Sequence, residues 1–541
     1  MQSILKFLMA VGWFALPHQS LAADLTLSTT LGDHMVLQRD KPVNIWGRAN
    51  PGELITVNFA GQEKTTTAKA DGSWLLTLNP MRACPDGRDL VVSGQGKRCL
   101  KLVDVLVGEV WILGGQSNME MPLWLRGDGM VNAEGTRLVM GTDHRWLRIM
   151  TAPQASAREL RDDFPSMQKD GKPNAGKWFV SQSRHQAISD FSALGYYLAL
   201  GLHEATQVPI GLVDTSWGGT VASAWVDRSG LEAIPQAAEL LQSKDTAATS
   251  WSEEKARKQL ELELADWEKR AAVAKAQNKG IPGKPTLRTN PAEDRNFPAG
   301  PFNAMIWPLR HMSVRGVFFY QGENNYFDQI DPFEKTYPAI VTSWRKAFGS
   351  PQLPICLFQI CGWERTERLY WQTKLPILQE QQLKAHLALP GTGFVVTTDL
   401  PHTDIHPIRK KPIAERAVRW AKAEVYGIKG ITWGTPVLIS QKKENNKMLL
   451  TFKSPGDEKL RIKGTPSGIA IAGVDGRYVE AKAELISSNV LKVWNDSVAE
   501  PVSARYAWSQ RGICNLETES GLPVSPFRSD SEEIQLKNIR N

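Results

Sequence analysis

Five continuous apolar runs constrain this chain more than any other feature: Val110 to Leu113, Pro209 to Val213, Gly316 to Tyr320, Pro354 to Ile360 and Phe394 to Thr397. They do not alternate with polar residues, so both faces of each strand are expected to be covered, as in a parallel sheet. Helical patterns lie between some of them, such as Phe191 to Glu204, and Pro412 to Val425 follows the last. This βαβ rhythm predicts a doubly wound α/β domain over residues 105–429.

The flanking segments have a different texture. Over residues 24–104, short alternating runs at Val43 to Trp46, Leu54 to Phe59 and Trp74 to Leu78 are separated by turn signals such as Asp71-Gly72. That spacing predicts a small β-sandwich. From about Gly430 to the end at 541, Val437 to Ile439, Met448 to Phe452, Ile469 to Ala472 and Leu491 to Trp494 predict a second β-rich domain. A polar insertion at about 229–285, centred on the charge-rich stretch Trp251 to Ala276, predicts a helical hairpin with no apolar stripe broad enough for a partner.

The first 23 residues read as a secretory leader: Lys6 is the only charge before Asp24, Phe7 to Pro17 is apolar, and Ser20, Ala22 and Ala23 are small. Export to a periplasm, cell surface or medium is the expectation. No later stretch reaches the length of a membrane-spanning helix. A net charge of +7, with its charges interspersed, gives no concentrated basic stripe, which argues against nucleic acid as a partner. Of the five cysteines, Cys84 and Cys99 flank a predicted hairpin and could pair, whereas Cys356 and Cys361 are expected as buried thiols. No metal-binding spacing is present.

In open parallel sheets, ligands bind beyond the carboxyl ends of the strands. The first apolar run leads into Gly114 to Glu120, the second into Asp214 to Thr220, the third into Gln321 to Asn325, and the last through Asp399 to Pro407. Glycine, hydroxyl, amide, carboxylate and imidazole groups therefore gather at one rim. Ester hydrolysis accounts for that set. A hydroxyl needs an adjacent base, usually an imidazole held by a third group, and the tetrahedral oxyanion needs preorganised donors. Ser117 is the candidate nucleophile and His406 the base, with His402 a weaker alternative. Asp404 is the candidate third member. Backbone amides at Ser117 and at Gly218 or Gly219, with the Gln321 or Asn324 side chain, are candidate oxyanion donors. Glu323 is expected to brace the Ser117 loop, and Trp124, Trp217, Trp225 and Trp363 are candidates for stacking on sugar rings.

At these positions the chain resembles the sialate O-acetylesterases, within the wider SGNH hydrolase group. The resemblance rests on Gly115-Gln116-Ser117-Asn118-Met119, Ser216-Trp217-Gly218-Gly219-Thr220, Tyr320-Gln321-Gly322-Glu323-Asn324 and Asp404-Ile405-His406-Pro407. It extends to Asn303-Ala304-Met305-Ile306, to Leu522 to Phe527, and to Met35-Val36-Leu37-Gln38. It implies a three-layer α/β hydrolase domain with a mostly parallel sheet, flanked by β-domains and without metal or organic cofactor, acting on an O-acetylated sugar or glycan. It carries the nucleophile to Ser117 and the base to His406. The group's usual Asp three residues before the histidine is replaced by Thr403, which leaves Asp404, Asp399 and Glu323 as candidates for the orienting acid.

The substrate readings are sialic acid or an acetylated polysaccharide such as xylan. Two other classes compete. A glycoside hydrolase would use a carboxylate pair, for which Glu323 and Asp404 are available, but it leaves Ser117 and His406 without a role. A non-catalytic carbohydrate-binding protein would bind through the β-domains and turn over no ester.

Overall fold

The computed structural model describes residues 24–123, 143–165, 175–182, 185–328, 330–363, 374–400, 404–512 and 514–530. The leader-like segment 1–23 lies outside them, as do Trp124, His402 and Thr403. The spine is an eleven-stranded mixed sheet. Its central path runs Trp178–Ser181, His144–Thr151, Ile210–Asp214, Cys99–Gly115, Gly316–Tyr320, Ile355–Phe358, Thr392–Val395. All neighbours along it are parallel except the 178–181 edge strand, which is antiparallel. Four of the five apolar runs lie wholly or largely within one of these strands, because only a fully covered strand tolerates an unbroken apolar sequence, and the fifth, Phe394 to Thr397, begins inside Thr392–Val395 and runs past its end.

Helices cover both faces. Side chains of neighbouring strand residues point to opposite sides. Leu113 meets Gly195 in the helix Ala193–Thr206, whereas a Cβ on Gly114 would lie 2.5 Å from Trp344 in the helix Phe333–Ala347. The helix Lys410–Trp420 packs on the first of these, and Leu375–Ala388 on the second.

The 99–115 strand carries two jobs. Its first part pairs antiparallel with Cys84–Ser93, its middle pairs parallel with Val36–Gln38, and its last part enters the central sheet. The boundary expected at 104/105 thus falls inside one continuous strand. The N-terminal β-strands share a single apolar core with the α/β domain, whereas the C-terminal strands enclose a core of their own. At the seam, buried Glu109 accepts hydrogen bonds from Gln38, Arg39 and Arg315. That is the physical role of the Met35–Gln38 motif.

Two expectations are corrected. Cys99 faces Ser93 while Cys84 faces Val107, at opposite ends of their hairpin and roughly 25 Å apart at strand spacing, too far for a disulfide. The charge-rich stretch Trp251 to Ala276 is one arm of the helical hairpin and not the whole of it, since Pro235–Ser250 forms the first arm and Glu253–Ala276 the second. Among the described residues, no helix is long and apolar enough to cross a membrane.

Candidate active site

The site forms where strand order reverses, between the 210–214, 99–115 and 316–320 strands, in the crevice expected at such a switch point. Their three following loops are stitched together. Gly115 takes φ +114°, and a Cβ there would stand 2.0 Å from the Tyr320 carbonyl, so only glycine allows the turn. The Gly115 carbonyl then accepts from the Trp217 amide at 2.9 Å. Gln116 accepts at its side-chain oxygen from Gln321 (3.0 Å) and from the Asn324 amide (3.2 Å). Ser117 is thereby fixed as the first residue of a single helical turn, Ser117–Glu120, where backbone N–H groups lack helical partners.

The imidazole reaches Ser117 from the segment after the last strand. His406 Nε2 stands 2.9 Å from Ser117 Oγ. Asp404 Oδ1 lies 3.4 Å from His406 Nδ1, but its side chain is 64% exposed. Asp399, the alternative acid, is held in a two-pronged pair by Arg416. Both groups of the nucleophile–base pair line a cleft of about 490 Å³ together with Trp217, Gly218, Gly219 and Asn324.

The expected oxyanion donors separate. Gln321 is wholly buried, and its amide donates to Gln116 and to the Thr220 carbonyl, so it braces the loops from behind and does not line the cleft. Asn324 does line it. One amide hydrogen is directed to the Gly219 carbonyl at 2.8 Å, and an amide carries two. The Gly218 N–H points to a carboxylate, Glu120 Oε2, at 2.6 Å. Gly218 is also sterically required, since a Cβ would meet Glu120 at 2.9 Å and the Ser117 side chain at 3.3 Å. Trp217 lies in the cleft, whereas Trp225 and Trp363 are buried in the core. Glu323 is fully buried and faces Asn118, not the cleft, so it cannot form a carboxylate pair with exposed Asp404 across a glycosidic bond.

Several residues at the site carried no reading in the sequence. Glu120, one helical turn after Ser117, accepts from both Gly218 and Gln154; its i+3 spacing was the available signal. Exposed Phe327 lines the cleft. Arg295, arriving just after the helical insertion, donates to the Gly218 carbonyl at 2.7 Å and lies over the Trp217 ring. Lys410 is almost fully buried and donates to Asn118 Oδ1 at 2.7 Å. Burial pushes the Glu323 carboxyl up to about 7 and the Lys410 ammonium down to about 8.

The chain matches the mouse sialate O-acetylesterase at 26% identity over 539 residues, spanning 92% of this chain and 93% of that protein. The human sialate O-acetylesterase matches at 26% over 537 residues, spanning 92% and 91%. The chain is similar to the sialate O-acetylesterases over about nine-tenths of its length. A crystal structure of a carbohydrate acetylesterase from Xanthomonas citri superposes with a TM-score of 0.75 at 29% identity, covering 94% of this chain and 99% of that one. No protein-family model matches. At 92% of this chain, the likeness to the sialate O-acetylesterases is too long to be confined to the α/β core. Among the described residues, no group of three or more histidine, cysteine or carboxylate side chains is arranged to hold a metal ion.

Proposed function

We propose that this chain is a serine carboxylesterase of the SGNH type that removes O-acetyl groups from carbohydrate. The observation that carries the reading is the 2.9 Å contact of His406 Nε2 with Ser117 Oγ in an open cleft. In the first half-reaction, Ser117 Oγ attacks the acetyl carbonyl carbon as His406 takes its proton. The oxyanion meets the Ser117 and Gly219 amides and the second Asn324 amide hydrogen. The imidazolium then protonates the departing sugar oxygen, leaving acetyl on Ser117. Water, deprotonated by His406, releases acetate in the second half-reaction.

The sugar reading rests on the relatives and on the cleft rim. Arg295 presents a guanidinium beside the Trp217 ring, which suits an acetylated acidic sugar of the sialate kind. The Xanthomonas citri likeness is to a carbohydrate acetylesterase, which is equally compatible with a second reading, an acetylated polysaccharide. The leader-like residues 1–23 support export of the mature chain.

The test is acetate release from an aryl acetate and from acetylated sialic acid and xylan, with Ser117→Ala alongside. Turnover by the parent alone supports the esterase. Sugar binding without turnover in either protein would favour a binding protein instead.

A further inference from the structure

The esterase reading leaves one question open in the geometry. His406 must be held on Ser117, yet the carboxylate next to its Nδ1 is largely in solvent, where screening and side-chain freedom weaken its grip. The described residues contain a second route to the same end. Asn118 follows Ser117 directly and is fully buried. Its side-chain amide donates to the Ile405 carbonyl at 3.0 Å, one peptide unit before His406, and to Glu323 Oε1 at 2.5 Å. Its carbonyl oxygen accepts from Lys410 Nζ at 2.7 Å. The amide is therefore fully oriented, with a cation fixing the oxygen side and a carboxylate fixing the nitrogen side.

We propose that Asn118 is the positioning residue that docks the His406 segment onto Ser117, and that the buried Lys410–Glu323 pair exists to hold Asn118 in that orientation. This proposal rests on the Ser117–His406 esterase reading and adds to it. Asn118 is the covalent neighbour of the nucleophile, and its hydrogen bond ends on the neighbour of the base. A shift of either loop is thus resisted at the residue adjoining the reacting group. Glu323 opens the turn Glu323–Phe327 and Lys410 opens the helix Lys410–Trp420, so the loop after the third strand and the last helix of the domain both feel the same amide. Two ionisable groups removed from water beside an active site, bonded to opposite sides of one amide, are costly to keep. A function in orienting Asn118 accounts for their placement.

The pivotal variant is Asn118→Asp. The new carboxylate still accepts from Lys410 but donates neither to Ile405 nor to Glu323, and above pH 7, where the assay is run and Glu323 is ionised in the parent, the two carboxylates repel. Adding Glu323→Gln restores a donor–acceptor pair between positions 118 and 323 with the direction reversed, while the Ile405 carbonyl still lacks its donor. Aryl acetate turnover is measured per folded molecule, with thermal melting in parallel. Asn118→Asp should lower kcat at least tenfold with KM within threefold, and the melting temperature should fall. In the double variant the melting temperature should recover substantially while kcat stays low. A merely structural role predicts that kcat recovers with stability, and that result overturns the proposal. Near-parental kcat in folded Asn118→Asp also overturns it. Should Asn118→Asp fail to fold alone, the double variant still decides between the two. Loss of turnover in Ser117→Ala beside an active double variant would reject the Asn118 role alone. Turnover surviving in Ser117→Ala would instead reject the esterase reading beneath it.

Discussion

Replacing Asp404 by Asn should cost the enzyme little. In a triad with a buried acid, losing that carboxylate lowers kcat about 10⁴-fold, because the imidazole then rests in the wrong tautomer. Here the carboxylate lies 3.4 Å from Nδ1 with its side chain 64% exposed. At that distance in water, the attraction for an imidazolium is about 1 kcal/mol, and exposed pairs yield that much or less after side-chain ordering. Since about 1.4 kcal/mol is tenfold in rate, the loss in kcat/KM should be about fivefold or smaller. The assay is steady-state acetate release at low and at 0.5 M salt, with Asp399→Asn as a companion. Parental turnover should weaken only slightly with salt, and Asp404→Asn should show no salt effect of its own. A loss of about 10³-fold or more on Asp404→Asn would refute the reasoning and restore Asp404 as the principal orienting acid.

Three further outcomes follow from the same geometry. Burial raises Glu323 to about 7, so between about pH 4.5 and 7 the folded protein keeps a proton that the unfolded chain has lost. Stability contributed by this group is therefore greatest at or below pH 4.5 and falls as pH rises to about 7, by up to about 3 kcal/mol. Melting curves of the parent and Glu323→Gln across that window should show the parent losing ground, and parallel curves would count against it. Arg295→Ala should raise KM at least fivefold more for an acetylated acidic sugar than for a neutral aryl acetate, which feels only the lost support of the Gly218 carbonyl; equal effects on both would remove the charge-reading role. Gly115→Ala should destabilise by about 3 kcal/mol or more in urea unfolding, because the methyl would overlap the Tyr320 carbonyl at φ +114°. A shift under 1 kcal/mol would show that the loop relaxes cheaply.

The parts of this molecule legible in its sequence were those set by local pattern. Unbroken apolar runs marked five parallel strands, and the polar clusters after them marked the rim where Ser117 and His406 meet. The strands at 144–151 and 178–181 were not legible. In the first, His144, Arg145 and Arg148 break the apolar pattern, and buried Arg148 is paired with Asp104, distant in sequence. The choice between Gln321 and Asn324 turned on Gly322, whose φ of +143° sends one side chain behind the loops and the other into the cleft. Lys410 opens a helix and reads as a solvated cation, so its burial against Asn118 depends on three segments meeting. The boundary at 104/105 was drawn where composition changes, but hydrogen bonding carries one strand straight through it.

Ser117 Oγ, activated by His406, is proposed to receive the acetyl group. The direct measurement is peptide mapping by mass spectrometry after reaction with an aryl phosphate ester that traps activated serines. A single phosphoryl adduct is expected on the peptide containing Ser117, forming at least a hundredfold more slowly in His406→Ala. An adduct on another serine, or labelling of Ser117 unchanged by His406→Ala, would contradict it.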